Sequence, residues 1–163
     1  LDPENAKAMV LRITQALSEA DPANANTYQK NATAVIVRLD QLSVEISTTV
    51  NPLKDAKYVV FHDAYQYFEA RFGLASTGAI TLNPAVLRGA AHLKEIKHTV
   101  ADLGVTCVFS EPQFKPQLVS LVIEGTAAKS SVLDPLGESI PAGTDQYFEL
   151  LNAMAFSTKG CLP

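Results

Sequence analysis

Residues 57–74 read KYVVFHDAYQYFEARFGL, and this stretch decides the fold. Tyr58-Val59-Val60-Phe61-His62 opens with an unbroken run of β-branched and aromatic residues. A strand with one face in water alternates apolar and polar; an unbroken run describes a strand buried on both faces of a parallel sheet. Tyr65, Phe68 and Phe72 then recur at helical spacing, and Gly73 supplies the left-handed residue on which helices commonly end.

The same alternation continues downstream. Residues 74–81 read as a second strand, weakened by Gly78. Residues 87–103 read as a helix with Leu93, Ile96, Val100 and Leu103 on its face and Gly104 as its stop. A third strand is expected over 105–109, a helix over 116–128 and a fourth strand over 130–133. Thr144 can cap a last helix carrying Phe148, Leu151 and Ala155. Strands alternating with helices predict an α/β fold with a four-stranded parallel sheet and helices on both faces.

Upstream the pattern is helical. Asp2-Pro3 reads as an N-cap and first helical residue, and Ala6, Met9, Val10, Ile13, Ala16, Leu17 and Ala20 follow at helical spacing. Asp21-Pro22 repeats the start signal. Tyr28, Ala32, Val35, Leu39, Leu42 and Ile46 then step by fours and threes, and Pro52 is the next breaker. One helix over 22–50 would have about 28 residues and a length of about 42 Å. It reads as a bundle strand or as a rigid spine between two lobes. The expected organisation is a helical segment over 1–52 and an α/β unit over 53–163.

The composition agrees. The 163 residues are 47% hydrophobic and 18% charged with a net charge of −4, which suits one domain with a proper core and disfavours a nucleic-acid partner. No apolar run approaches the roughly 18 residues needed to cross a bilayer. Leu1-Asp2-Pro3-Glu4-Asn5 is neither a Met start nor a signal peptide and reads as the continuation of a longer protein.

Ligands of open α/β sheets bind beyond the carboxyl ends of the strands. Three polar residues fall there: His62, Glu111 and Asp134. Imidazole with carboxylate suits a transition metal such as zinc or manganese. The plainer alternatives are a hydrogen-bonded histidine at a strand end and acidic helix caps. Glu111 in particular reads as a cap or a hinge contact rather than a ligand. His92 and His98 lie six apart, on opposite faces of one helix, and are expected to be solvated. Asn31-Ala32-Thr33 matches a glycosylation sequon but lies within the long helix. Neither a nucleophile elbow nor a phosphate loop nor an HExxH run is present, and a Cys107–His62 pair would place the thiol in mid-strand, so an enzyme is not expected. Cys107 and Cys161 are either two buried thiols or one disulfide. The place of Cys161, near the fraying end of the chain, favours the staple.

Taken in order, Phe61-His62-Asp63-Ala64-Tyr65-Gln66-Tyr67-Phe68, Glu95-Ile96-Lys97, Val108-Phe109-Ser110-Glu111-Pro112-Gln113-Phe114, Leu133-Asp134-Pro135-Leu136-Gly137 and Tyr147-Phe148 resemble the metal-specific periplasmic solute-binding proteins of ABC importers, and the zinc-uptake branch in particular. The opening Leu1-Asp2-Pro3-Glu4-Asn5-Ala6 resembles them too. The resemblance implies two α/β lobes joined by one long helix, with the metal between them. This chain would be the linker helix and the carboxyl-terminal lobe, and the amino-terminal lobe, with two further histidine ligands, would be missing. It implies Zn2+ on His62, with Asp134 as a ligand or near neighbour of the metal; Glu111, read from its position as a hinge contact, would then lie between the lobes. It also implies a Cys107–Cys161 disulfide, a periplasmic location and delivery of zinc to a membrane permease. Manganese or iron uptake and an adhesin on the same scaffold are the alternatives within the family. An uncovered stripe of Tyr28, Ala32 and Val35 on the long helix would then favour self-association.

Overall fold

The computed structural model describes residues 1–81, 90–114 and 117–163. Two helices lead: α1 (Pro3–Ala20) and α2 (Ala25–Val50), joined by a 3-10 turn over Pro22–Asn24. The α/β part follows as β1 (Tyr58–His62), α3 (Gln66–Phe72), β2 (Gly78–Thr81), α4 (Ala90–Asp102), β3 (Cys107–Ser110), α5 (Gln117–Ile123), β4 (Lys129–Val132) and α6 (Gln146–Cys161). All strand pairs are parallel and the order is β2-β1-β3-β4. The four-stranded parallel sheet expected from the pattern is the one observed.

The pleat explains the unbroken apolar run in β1. Tyr58 and Val60 point to one face, with Cys107 and Phe109 of β3, Leu42, Ile46 and Val50 of α2, and Leu151 and Met154 of α6. Val59 and Phe61 point to the other, with Val108, Ile96 and Val100 of α4, and Val119 and Val122 of α5. Two apolar layers sandwich the sheet, and the two central strands have no wet face.

Several boundaries moved for local reasons. The second strand is only four residues long. Gly73 takes φ 71 to end α3, Leu74 sinks into the core, and the amide of Ser76 donates to Glu69 rather than to a neighbouring strand. The fifth helix stops at Ile123, before Gly125 at φ 77 and the Thr126 turn onto Ile123. The last helix is preceded by Asp145 rather than capped by Thr144. The expected helix starts at 87–89 and at Pro116 lie outside the described residues.

The long helix needs a larger correction. Its expected open stripe is covered: Ala32 is buried, Val35 packs on the core, and the Tyr28 hydroxyl donates to Asp21. The reason is α1, which folds back along α2. The uncovered apolar residues lie mainly on the far side of α1, where Met9 is 63% and Ile13 55% exposed. Self-association through the Tyr28–Val35 stripe therefore loses its basis.

The start of α1 is clamped to the α/β part. Asp2 caps it by accepting from the Glu4 amide, and its two oxygens take Arg71 of α3 in a fork, Nε at 2.7 Å and a terminal nitrogen at 3.0 Å. Arg71 holds the Asp2 carboxyl below its ordinary value of 3.8, against desolvation. A depressed carboxyl contributes stability that is full above its unfolded value and lost as acid titrates the folded form. Asp2→Ala is expected to cost about 1–2 kcal/mol near neutral pH, with the difference from wild type shrinking below about pH 4. Urea unfolding at both pH values checks it.

Candidate metal centre

The site is set by strand order and register. In a sheet ordered β2-β1-β3-β4 the chain leaves β1 to one side and returns on the other, so the crossovers diverge between β1 and β3 and open a crevice at their carboxyl ends. Tyr58 stands beside Cys107 and Val59 beside Val108, an offset of 49 residues. The same offset carried to the strand ends sets His62 beside Glu111. Both belong to the face of Tyr58, Val60, Cys107 and Phe109.

The contact follows. His62 Nδ1 lies 3.9 Å from Glu111 Oε1, with the imidazole 28% exposed and the carboxylate almost wholly buried. The Tyr65 hydroxyl donates to the same oxygen at 3.0 Å and also lies 3.5 Å from the carbonyl of Leu133. Burial pushes the Glu111 carboxyl up, and the Tyr65 bond and the nearby His62 pull against it. Burial and the Glu111 charge drive the Tyr65 phenol far above its ordinary value, so its proton stays in the bond. Above the pair opens a cavity of about 330 Å³, whose walls include the apolar side chains of Ala64, Phe114, Pro135 and Leu136. The Phe114 ring is stacked on Phe61 at 4.7 Å, which fixes that wall.

Asp134 is placed differently. Ser110 stands beside Val132, so Leu133 follows beside Glu111 and Asp134 falls one residue out of phase with His62. Its Oδ1 accepts from the Gln113 side chain and the amides of Leu136 and Gly137, and its Oδ2 from the amide of Glu138 at 2.6 Å. Desolvation opposes the charge, but these four donors outweigh it and hold the carboxyl below its ordinary range. The turn they organise needs Gly137, at φ 68, where a Cβ would stand 3.1 Å from Leu150. Asp134 thus shapes the loop whose Pro135 and Leu136 border the cavity.

The other histidines divide. His98 is exposed. His92 is not solvated as expected: its Nε2 donates to the Ile80 carbonyl at 2.9 Å, because α4 starts over the end of β2. Among the described residues no three His, Cys, Asp or Glu side chains are gathered to hold a metal. Zinc takes four ligands as a rule, and a single imidazole backed by a carboxylate is a fraction of such a site. Cys107 and Cys161 form a disulfide, with Cα atoms 5.9 Å apart. This removes a Cys107 nucleophile.

A parallel sheet wound both ways around a crevice at its switch point is a fold used by many α/β proteins, solute-binding proteins among them. A crystal structure of ZnuA superposes with a TM-score of 0.85 at 26% identity, over 99% of this chain and 61% of that one. A mutant structure of the laminin-binding adhesin from Streptococcus agalactiae does so at 0.85 and 29% identity, over 99% and 61%. Residues 1–159 match the family described as zinc-uptake complex component A, periplasmic, and the chain belongs to that family. The high-affinity zinc uptake system protein ZnuA of Brucella abortus is 48% identical over all 163 residues, which span 49% of its length. The chain therefore covers about half the length of the curated relatives it matches. The family is a solute-binding component of a transporter, and among the described residues no helix is long and apolar enough to cross a membrane.

Proposed function

We propose that this chain is the carboxyl-terminal half of a periplasmic zinc-binding protein that captures Zn2+ and passes it to the permease of an ABC importer. The observation that carries the reading is His62, held at the β1/β3 switch point over a buried carboxylate and inside an apolar wall. The apolar side chains around His62 lower the local dielectric about a metal–imidazole bond. Asp134 enters as a near neighbour of the metal that orders the rim, and any role for Glu111 between lobes is exercised through the cavity it borders. Residues 1–52 form the helical link, and 53–163 the lobe.

The ligands that complete the zinc shell come from an amino-terminal lobe in the longer protein. The apolar outer face of α1, with Met9 and Ile13, supports a cover that this chain does not itself supply. Zinc is favoured over manganese or iron because the more exposed donor at the cavity floor is the His62 imidazole, with the Glu111 carboxylate buried beside it. The adhesin reading has the likeness at 29% identity behind it, against 48% for the zinc-uptake relative.

Calorimetry compares the chain of 163 residues with the two-lobed protein. The expected result is one tightly bound zinc in the longer protein, preferred over manganese, and at least a hundredfold weaker binding to this chain alone. Equal affinity in the two, or a preference for manganese, would overturn the reading.

A further inference from the structure

We infer that Glu111 is a positioning residue for zinc capture, which holds the His62 ring by Nδ1 so that Nε2 is the atom presented to the cavity. The inference deepens the reading of His62 as a metal ligand and rests on it. Three observations carry it.

The two side chains meet because of the ladder between β1 and β3, not because of a loop. The offset of 49 residues that pairs Tyr58 with Cys107 puts His62 and Glu111 side by side on one face. The ring nitrogen that faces the carboxylate is Nδ1, at 3.9 Å, within ion-pair range and longer than a hydrogen bond. A neutral imidazole has one donor and one acceptor nitrogen, and a carboxylate only accepts, so the proton belongs on Nδ1 and the lone pair on Nε2.

The carboxylate is itself held in place. It is 4% exposed, and Tyr65 donates to the same oxygen that faces His62. Tyr65 is anchored in turn, as a buried residue packed in the cluster with Phe68 and Leu133. The chain Tyr65–Glu111–His62 therefore runs from the core to the cavity floor and ends on the only member with solvent access.

No basic side chain among the described residues is paired with Glu111 other than His62. A buried carboxylate without a Lys or Arg partner is costly. An acidic helix cap would explain the residue type but not this placement. A carboxylate behind a metal-binding imidazole fixes the ring's tautomer and direction, and its loss typically costs 10–100-fold in metal affinity.

The test uses Glu111→Gln, which keeps the shape and the Tyr65 bond, and Glu111→Leu, which abolishes acceptance. Long-range nitrogen–proton NMR of the metal-free protein, with the ring neutral, reads the His62 tautomer. Zinc calorimetry on the two-lobed protein reads affinity. The expected result is an Nδ1–H ring in the wild type and a shift toward the Nε2–H tautomer in Glu111→Leu. Zinc affinity should fall 10–100-fold in Glu111→Leu and less in Glu111→Gln. In a His62→Ala background, Glu111→Leu should cost nothing further, which a purely structural role would not predict. An unchanged tautomer with unchanged affinity in folded Glu111→Leu overturns the inference. If Glu111→Leu does not fold, an Nε2–H ring in the wild type overturns it. Full zinc affinity in His62→Ala alone would instead remove the metal-ligand reading, so the two failures are told apart.

Discussion

Replacing His62 by alanine in the two-lobed protein is expected to lower zinc affinity by well over tenfold, more than about 1.4 kcal/mol. On the proposed reading His62 is the one imidazole that borders the cavity among the described residues, and zinc's usual tetrahedral shell has no spare member. Asp134→Ala is the comparison. It frees four donors and loosens the rim, but the carboxylate oxygens are already engaged within the protein, so its loss should cost less than that of His62. Calorimetry on the two variants decides the ranking. Zinc affinity unchanged by His62→Ala would take that residue out of the site.

Reduction of the Cys107–Cys161 bond is the largest expected effect on stability. The bond closes a loop of 54 residues. Chain entropy for a loop of that size gives about 4 kcal/mol, or a drop in Tm of roughly 8–16 °C for a domain of this length. The location makes the bond structural. Cys107 is fully buried in a central strand and Cys161 closes α6, so the bond pins the last helix to the middle of the sheet. Urea unfolding with and without reductant measures the difference. A titration that found two free thiols in denatured, unreduced protein would show that no bond forms. An unfolding midpoint insensitive to reductant would show that it does not stabilise.

The elements that could be read from the chain are those whose signals are local. The run in β1 announces burial on both faces, and Gly73 and Gly104 mark helix ends where the backbone does turn left-handed. The placement of His62 at a strand end follows from the same run. What escaped is set by partners far along the chain. Glu111 reads as a cap because its neighbours in sequence are Ser110 and Pro112. Its neighbour in space, His62, lies 49 residues away across a ladder. His92 looks solvated on a helical wheel, and only the position of α4 over β2 gives it the Ile80 carbonyl. The cover of the Tyr28–Val35 stripe of α2 by α1 escapes a reading of the sequence for the same reason. Periodicity identifies an apolar stripe but not which stripe meets which, and α1 has apolar residues on two sides. Asp134 was visible as a polar residue after a strand. Three of its four hydrogen bonds depend on how the next four residues turn, and the fourth comes from the side chain of Gln113.

The ladder between β1 and β3 also bears on what metal capture costs. These are the two interior strands, with neighbours on both sides and an apolar layer above and below. Side chains standing at their ends have lost most of their freedom when the chain folds, well before any ion arrives. On the proposed reading, an ion that reached the cavity would meet an imidazole whose backbone is already fixed by the sheet, and most of the entropy of assembling the coordination shell would fall on the remaining ligands. On that reading this chain is the anvil of the site, fixed and shaped in advance by its own sheet.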